Sequence, residues 1–290
     1  MKVHSPEETA SILTQALPYI QQFSGTTVVV KFGGNAMVDP ELFKTFAADI
    51  VLMHSVGIKP IVVHGGGPQI GALLEKVGKQ SEFVDGLRVT DAETLDVVRM
   101  VLAGKVGRDI VSGINVHGPL AVGVSGEDAG LIRAKPHSVE HGFVGQVVDV
   151  NPDIVHKLQA EGLIPVISTI GSDETGQAYN INADTVAGHI AAAVGANKLV
   201  MLTDVDGLRR DPDDPDTLIR QTTSDELHPL VGTHTVSGGM IPKVAACLHA
   251  VDNGVNTAHV LNGTVKHVLL LEIFTVSGIG TIIRPGDGSQ

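Results

Sequence analysis

TTVVVKFGGN, residues 26–35, is the stretch that decides the fold of this chain. It begins with an unbroken run of β-branched residues, which is typical of a strand buried on both faces of a parallel sheet. The run leads to Lys31 and then to Gly33 and Gly34, so a cation and side-chain-free backbone meet at the carboxyl end of the strand. Ligands of open α/β sheets bind at that edge. The alternative is a solvated lysine before an ordinary turn.

Similar apolar runs follow along the chain and alternate with segments of helical periodicity. Predicted strands cover residues 26–32, 60–63, 120–124, 164–168, 198–202 and 258–261. Predicted helices cover residues 40–56, 67–78, 91–116, 152–161, 184–195 and 239–253. This alternation predicts an α/β fold with a mainly parallel sheet and right-handed crossovers. Glycine-punctuated segments at 133–148 and 174–181 predict hairpins beside the sheet.

An amphipathic helix is predicted ahead of the first strand. Ser5, Pro6 and Glu8 have the spacing of a capped helix start. Leu13 and Leu17 lie on an apolar stripe that continues to the end of this helix. The stripe either packs on the chain's own domain or docks on a neighbouring subunit.

Composition and charge exclude several classes of protein. The formal charge is −12 and there is no cluster of Lys and Arg, so we expect no nucleic-acid partner and no anionic membrane surface. The single cysteine, Cys247, lies in an Ala-rich helical stretch and is expected to be a small buried thiol in a reducing compartment. A secretion signal and a membrane-spanning run of about 18 apolar residues are both missing from the sequence, so a cytoplasmic location is expected.

HGGGP, residues 64–68, ends the second predicted strand and begins a predicted helix. Successive glycine N–H groups at a helix N-terminus can hold an anion. A dinucleotide-binding fingerprint would need glycine where Ile70 stands, and no Gly-Lys pair is followed by Ser or Thr as in a P-loop. The remaining alternative is a tight turn without a ligand.

Three further residues lie where loops meet predicted helices. Arg88 offers a planar fork that suits a carboxylate, although a surface arginine is the more ordinary interpretation. Asp184 falls at a helix start, where an aspartate is often only a cap. Lys243 follows a glycine pair in the first turn of a helix, where it provides a second cation or is an ordinary helix-start lysine.

HSVEH, residues 137–141, fits the H-x-x-E-H zinc-peptidase pattern. That pattern works only on a helix, which brings both imidazoles to one face. Pro136 before it and Gly142 after it predict a hairpin instead, so we expect no metal site here.

Six motifs follow one another along the chain: KFGGN at 31–35, HGGGPQI at 64–70, GLRVT at 86–90, NINAD at 180–184, LTDVDG at 202–207 and GGMIPK at 238–243. Taken together, they resemble those of the amino-acid kinase family, and within it the members that act on N-acetyl-L-glutamate. The resemblance spans nearly the whole chain and implies a three-layer α/β/α sandwich with a mainly parallel open sheet. It also implies an N-terminal oligomerisation or regulatory helix over 1–24, an amino-acid substrate lobe over 25–196 and an ATP-binding lobe over 197–290.

The resemblance implies an ATP-dependent kinase that phosphorylates the γ-carboxylate of N-acetyl-L-glutamate in arginine biosynthesis. Lys31 and Lys243 would flank the transferring phosphoryl group, Asp184 would hold both ammonium groups, and Gly34 and Gly66 would donate N–H groups to its oxygens. The implied substrate-binding residues are Gly66, Gly67, Arg88 and Asn180. The implied ATP-binding residues are Lys31, Asp204, Asp206, Gly207, Leu208, Arg209, Ser237, Gly238, Gly239 and Lys243. Mg²⁺ would be held mainly by ATP phosphates and water, with no metal site of the protein's own.

Elementary chemistry agrees with this assignment. A glutamate-like acceptor has a pKa near ~4.3 and is already ionised at neutral pH, so no general base is required. The task is to offset the repulsion between two anions, which paired lysines and preorganised N–H groups do.

The segment around the first helix and the end of the chain resemble the arginine-inhibited, hexameric branch of the family. Tyr19, Glu272, Gly278 and Gly280 would bind L-arginine, with Glu272 on its guanidinium, and the chain would form a hexamer built as a trimer of dimers. Glu272 as a capping or solvated carboxylate is the alternative.

Three other functions stay open from the sequence. One is a family member that acts on a different carboxylate, such as an aminoadipate-type or glutamate kinase. Another is a catalytically silent arginine-binding sensor or scaffold. The third is a dinucleotide-dependent reductase, which the missing glycine at position 70 disfavours.

Overall fold

The computed structural model describes residues 5–275 and 278–286, so residues 1–4 of the predicted regulatory segment and 276–277 and 287–290 of the predicted ATP lobe lie outside it. The helices are α1 (Pro6–Phe23), α2 (Pro40–Ser55), α3 (Gly67–Lys76), α4 (Ala92–Arg99), α5 (Gly107–Asn115), α6 (Asp153–Ala160), α7 (Ala183–Ala193), α8 (Ser224–Leu227), α9 (Met240–Asp252) and α10 (Val268–Ile273). The strands are β1 (Thr27–Phe32), β2 (Lys59–His64), β3 (Phe83–Val84), β4 (Leu87–Arg88), β5 (Ala121–Ser125), β6 (Ile132–Pro136), β7 (Gly145–Val150), β8 (Ile164–Ser168), β9 (Ile170–Ser172), β10 (Ala178–Asn180), β11 (Lys198–Thr203), β12 (Gln221–Thr223), β13 (Thr257–Asn262) and β14 (Thr281–Arg284).

One eight-stranded sheet forms the centre of the molecule, in the order β12-β14-β13-β11-β1-β2-β8-β5. β1 pairs in parallel with β2 on one side and with β11 on the other, and Lys31 stands opposite Val63 and Met201. The predicted mainly parallel sheet is confirmed. Strand β14, which the sequence pattern does not predict, pairs antiparallel with β13 near one edge.

The residues of β1 alternate between two hydrophobic cores, one on each face of the sheet. Val28, Val30 and Phe32 belong to the core that α2, α5 and α10 cover, and the Phe32 ring stacks on Phe46 of α2 at 3.7 Å. Val29 belongs to the core that α7 and α9 cover. The predicted three-layer α/β/α arrangement is therefore confirmed.

The helix predicted over 91–116 is divided into three segments. Between α4 and α5 the chain forms a π-helical segment, Met100–Val106, hereafter the π segment. A π turn adds one residue per turn, and such turns often occur at functional sites. The hydrophobic pattern does not distinguish the π segment from an α-helix, because Val101, Leu102 and Val106 are buried like the residues of a continuous helix.

The two predicted hairpins are confirmed as parts of a second sheet, in the order β10-β9-β6-β7. HSVEH lies in the turn between β6 and β7 and contains a short 3₁₀ segment, Val139–His141, in place of an α-helix. The ring of His141 is buried and its Nδ1 lies 2.7 Å from Ser138 Oγ.

Helix α1 begins with the predicted capping box, in which the Ser5 and Glu8 side chains each bond to the other's backbone N–H. Its apolar stripe is open to solvent, with Leu13 66% and Leu17 48% exposed. Within residues 5–275 and 278–286 the stripe therefore does not pack on the chain's own domain, which was the first of the two alternatives.

The cysteine and the longest helices bear on two smaller expectations. Cys247 of α9 is buried, and burial raises the pKa of its thiol, so it is the inert thiol that was predicted. Among the described residues, no helix combines the length and the apolar character that crossing a bilayer requires.

Candidate active site

Three charged side chains from distant parts of the chain meet at the carboxyl edge of the main sheet. Lys31 is near the end of β1, Asp184 is in the first turn of α7, and Lys243 is in the first turn of α9. Lys31 Nζ lies 2.9 Å from Asp184 Oδ1, and Lys243 Nζ lies 2.9 Å from Asp184 Oδ2. One carboxylate therefore bridges two ammonium groups.

The bridging carboxylate is nearly removed from water, since Asp184 is 5% exposed. Burial by itself would raise the pKa of Asp184, but the two ammonium charges outweigh it and the pKa lies below its ordinary value. A buried charge of this kind is tolerated when it is paired and hydrogen-bonded. The trio carries a net charge of about +1 and therefore favours an additional anion.

The local fold of α7 explains why this carboxylate is available. Asn182, rather than Asp184, is the N-cap of the helix, and its Oδ1 accepts hydrogen bonds from the backbone N–H groups of Asp184 at 2.8 Å and Thr185 at 3.1 Å. The interpretation of Asp184 as a simple cap is therefore wrong. Its side chain is directed at the lysines.

A cavity of about 300 Å³, hereafter the acceptor cavity, opens beside Lys31 and Asp184. The glycine turns after β1 and β2, the β3–β4 hairpin and the β10–α7 loop surround it. It brings together the predicted residues Lys31, Gly34, Gly66, Gly67, Arg88, Asn180 and Asp184. It also includes residues that the sequence reasoning missed, among them Met37, Phe83, Leu102, Val144 and Thr169.

Arg88 is held in place along one wall of the acceptor cavity. Its Nη2 donates to the carbonyl oxygen of Gly67 at 3.0 Å, its Nη1 donates to Ser81 Oγ, and its guanidinium lies 4.7 Å from the centre of the Phe83 ring. Burial lowers the pKa of Arg88, although an arginine stays charged at any ordinary pH. Arg88 is thus not the free surface arginine of the alternative interpretation.

The turn after β1 requires a glycine at position 34. Gly34 has a φ of +67°, and a Cβ there would lie 2.9 Å from Asp204 Oδ1. Asp204 follows β11, so this close approach joins the loops at the carboxyl ends of two neighbouring strands.

A second, smaller cavity of about 110 Å³, hereafter the nucleotide cavity, lies beyond β11. It contains the predicted residues Gly207, Leu208, Arg209 and Ser237, and also Val205, Pro212, Thr235 and Met240. Asp206 is instead bonded to Asn262 Nδ2 at 2.7 Å, and Gly238 and Gly239 form the turn into α9. No sequence motif predicts Pro212 or Thr235, which reach the cavity from separate loops.

Gly207 and Leu208 form part of the framework of the nucleotide cavity. The Leu208 side chain is buried, and its backbone N–H donates to Thr281 Oγ1 at 2.8 Å. Gly207 has a φ of +145°, and a Cβ there would meet the same Thr281 hydroxyl at 2.6 Å.

A third cavity, of about 510 Å³ and hereafter the effector cavity, lies between the end of α1 and the α10 region. Of the four predicted effector residues, Tyr19, Glu272 and Gly278 line it, whereas Gly280 packs against the carbonyl oxygen of Val260 outside it. Lys198, His259 and Arg284 also line it and were not anticipated.

Glu272 lies deep in the effector cavity and is not a solvated carboxylate. It is 8% exposed, its Oε1 lies 2.8 Å from His259 Nδ1, and its Oε2 accepts from the Ile279 N–H at 3.2 Å. Burial would raise its pKa, but the bond to His259 and the other nearby groups outweigh this effect and lower it.

The amino acid kinase family model matches residues 26–262, which include every element from β1 to β13. The chain belongs to this family. Together with the similarity to proteins named acetylglutamate kinase, this membership identifies the chain as an ATP-dependent kinase that phosphorylates a carboxyl group.

Proteins named acetylglutamate kinase are similar to this chain over nearly its full length. The one from Saccharopolyspora erythraea is 53% identical, covering 100% of this chain and 97% of that protein. The one from Nostoc sp. is 54% identical, covering 96% of this chain and 93% of that protein.

Solved structures of related enzymes share the fold. The N-acetylglutamate synthase of Neisseria gonorrhoeae, in complex with coenzyme A and N-acetyl-glutamate, superimposes with a TM-score of 0.83 at 26% identity, over 95% of this chain and 63% of that one. The carbamate kinase of Giardia lamblia, bound to AMP-PNP, gives a TM-score of 0.69 at 19% identity, over 91% of this chain and 100% of that one, which shows the fold alone.

Proposed function

We propose that this chain transfers the γ-phosphoryl group of MgATP to the side-chain carboxylate of N-acetyl-L-glutamate. The observation that carries the proposal is the carboxylate of Asp184 held between Lys31 and Lys243 beside the acceptor cavity. Relatives about half identical over almost their whole length carry the name acetylglutamate kinase and support the choice of acceptor.

The reaction needs only positioning and charge. A carboxylate oxygen of the acceptor forms a bond to the γ-phosphorus while the bond to the β,γ-bridging oxygen breaks, and ADP leaves with that electron pair. Lys31 on the acceptor side and Lys243 on the nucleotide side offset the negative charge on the phosphoryl oxygens, and the Gly34 and Gly66 N–H groups donate to them. Asp184 is the positioning residue that holds the two ammonium groups apart and directs them toward the phosphoryl oxygens.

The walls of the acceptor cavity suit an N-acylated amino acid. Arg88 would pair with the α-carboxylate, since its fork geometry matches two carboxylate oxygens. Asn180 would bond to the acetamido group, and Leu102 and Val144 provide an apolar wall for its methyl. Among the described lining residues the one carboxylate is Asp184, which is already paired with Lys31 and Lys243. A free α-ammonium would therefore find no unpaired carboxylate to replace its water, which favours the acylated substrate over free glutamate.

ATP would bind with its base and ribose in the nucleotide cavity, against Gly207, Leu208, Arg209 and Ser237. Its phosphates would extend past Gly238 and Gly239 toward Lys243, and Mg²⁺ would enter as part of the nucleotide substrate. Asp204 and Asp206 are then near the triphosphate. This arrangement divides the chain into an acceptor lobe over 25–196 and an ATP lobe over 197–290, joined through one continuous sheet.

L-arginine is the proposed feedback inhibitor, bound in the effector cavity. Glu272 supplies a buried carboxylate for the guanidinium, while Lys198 and Arg284 provide cations for its α-carboxylate. The open apolar stripe of α1, next to this cavity through Tyr19, would be covered by the same helix of another subunit in a hexamer. The cytoplasmic location stays a prediction.

Trapping of the acyl phosphate with hydroxylamine tests the proposal. The pure protein with MgATP and N-acetyl-L-glutamate is expected to give the hydroxamate and stoichiometric ADP, and to give far less product with free glutamate or an acylated aminoadipate. Hydroxamate from another acceptor alone would reassign the substrate. Absence of turnover with every carboxylate, together with arginine binding, would favour the sensor.

A further inference from the structure

A buried histidine, His64, stands directly before the glycine turn at the end of β2. Its side chain is fully buried, and its Nδ1 lies 3.0 Å from the carbonyl oxygen of Gly65. A carbonyl oxygen only accepts hydrogen bonds, so Nδ1 carries the hydrogen and donates it. A rigid core side chain is thereby bonded to the first peptide of the turn.

The other ring nitrogen is unpaired among the described residues, which agrees with this tautomer. His64 Nε2 faces a separate cavity of about 300 Å³, between the π segment and β8, and has no hydrogen-bond partner in the described part of the chain. Burial lowers the pKa of His64 to about 4, so the neutral ring carries one N–H at neutral pH. Since Nδ1 holds that hydrogen, Nε2 is an acceptor toward the cavity.

The bond to Gly65 also determines the direction of the next N–H. A trans peptide is planar, and its C=O and N–H groups point in opposite directions. A Gly65 carbonyl held toward His64 therefore leaves the Gly66 N–H directed away from His64. Both glycines line the acceptor cavity, and the Gly66 N–H has no backbone acceptor within the described residues.

Two adjacent glycines would otherwise let this peptide rotate easily. Without a Cβ atom on either side, rotation of the peptide between Gly65 and Gly66 meets little steric resistance. The three glycines of the turn have no side chain that holds the peptide. A Cβ at Gly66 would lie 2.8 Å from Leu102 Cδ2, so a bulkier residue there requires the Leu102 side chain to move.

We propose that His64 is a positioning residue that locks the Gly65–Gly66 peptide and so keeps the Gly66 N–H available to the transferring phosphoryl group. This assignment rests on the phosphoryl transfer proposed above, and His64 itself touches neither reactant. It predicts that the rate of the chemical step, more than substrate binding, depends on the donor at the Nδ1 position.

Two substitutions separate this role from simple packing. In His64→Asn the amide N–H can take the place of Nδ1–H and bond to Gly65, whereas in His64→Gln the amide reaches the Nε2 position instead. His64→Gln is expected to lower kcat by about 10- to 100-fold with a change in KM for N-acetyl-L-glutamate under about 3-fold, as for loss of one donor to the transition state. His64→Asn is expected to keep kcat within about 5-fold of wild type.

Ser168→Ala is the matched control. Ser168 on β8 pairs with His64 in the sheet and lines the same cavity, but its hydroxyl has no hydrogen-bond partner among the described residues and so does not hold the Gly65 carbonyl. Its kcat is expected to stay within about 2-fold of wild type. Equal loss of kcat in the Asn and Gln variants, or a Gln variant that changes only KM, would overturn the assignment.

Nitrogen-15 NMR of the histidine-labelled wild-type enzyme provides a test that needs no variant to fold. We expect His64 to be protonated at Nδ1 and unprotonated at Nε2 at neutral pH, and the opposite tautomer would refute the bond to Gly65. A wild-type protein that makes no acyl phosphate would disprove the proposed function, whereas an active enzyme with the wrong tautomer would disprove only the role of His64.

Discussion

Gly188 of α7 lies directly against the backbone of Ala246 in α9, where an added Cβ would come within 2.6 Å of the Ala246 carbonyl oxygen. The two helices carry Asp184 and Lys243 in their first turns. Their close approach therefore sets the distance across one of the two ion pairs of the site.

Gly188→Ala is expected to force the two helices apart and to weaken the Asp184–Lys243 pair. We expect a loss of stability of about 1–3 kcal/mol from overpacking and a fall in kcat of roughly 10-fold. Chemical denaturation and steady-state kinetics measure both. The control is Gly104→Ala, since a Cβ there meets nothing within 4 Å and its effect on both quantities should be small.

Lys31→Met and Lys243→Met remove one cation each while keeping a side chain of similar length. Each is expected to lower kcat by about 10²-fold or more, because the transition-state charge loses a preorganised partner. Hydroxamate formation at saturating substrates measures the rate. Lys44→Met, at a lysine whose side chain is 74% exposed, should leave the rate unchanged. Wild-type rates in both variants would rule out the proposed roles of the lysines.

Acidification should destabilise the fold through the histidines between α7 and α9. The rings of His189 and His249 lie 3.9 Å apart, and burial lowers the pKa of His189 to about 4 from 6.5 and also lowers that of His249. As the pH falls, these histidines take up protons in the unfolded chain before they do so in the folded protein. The free energy of unfolding is therefore highest above about pH 6.5 and decreases as the pH falls toward 4.

The free energy of unfolding is expected to change with pH by up to roughly 1.4 kcal/mol per pH unit for each histidine. Urea unfolding over a pH series measures it. His189→Gln should have a shallower slope than wild type, and His117→Gln, at an exposed position, should not. A slope that His189→Gln leaves unchanged would show that other groups cause the acid sensitivity.

Arg88→Lys tests recognition of the acceptor. Lysine keeps the charge but loses the planar fork and the bonds to Gly67 and Ser81, so KM for N-acetyl-L-glutamate is expected to rise about 10- to 100-fold while KM for ATP changes little. Arg133→Lys, in a surface ion pair, is the control for loss of a guanidinium alone. An unchanged KM would mean that the acceptor carboxylate lies elsewhere.

Glu272→Gln tests the effector cavity. With the charge removed but the shape kept, half-maximal inhibition is expected to need about 10-fold more L-arginine or more, while the uninhibited rate stays the same. Glu93→Gln, at a side chain 85% exposed, should titrate like wild type. A wild-type enzyme whose rate is untouched by millimolar arginine would remove the proposal of feedback inhibition.

Short-range pattern was sufficient to predict the centre of the fold. The β-branched run of β1 and the glycines after it have one simple interpretation, because few residues tolerate burial on both faces or the φ of +67° that Gly34 adopts. The placement of Lys31 and of the glycine turn after β2 at the same sheet edge also follows, since the parallel strands β1 and β2 end on the same side.

The features that sequence reasoning missed depend on distant contacts. The sequence of the π segment resembles that of an ordinary α-helix, because its buried residues keep a helical spacing. Strand β14 depends on a tertiary contact, since it forms by antiparallel pairing with β13. Leu102 and Val144 are plain apolar residues whose place in the acceptor cavity is set by tertiary structure. Asn182 was overlooked as the cap because Asp184 is an equally good candidate by residue type.

Successive side chains of β1 point to opposite faces of the sheet, so the neighbours Lys31 and Phe32 lie in different layers. Lys31 faces α7 and the acceptor cavity, while Phe32, one peptide bond away, stacks on α2 in the opposite layer. Substitutions at Phe32 are therefore expected to change mainly the melting temperature, and substitutions at Lys31 mainly the turnover rate. In this molecule, closeness along the chain is a poor guide to which property a substitution will alter, and the layer that a side chain enters is a better one.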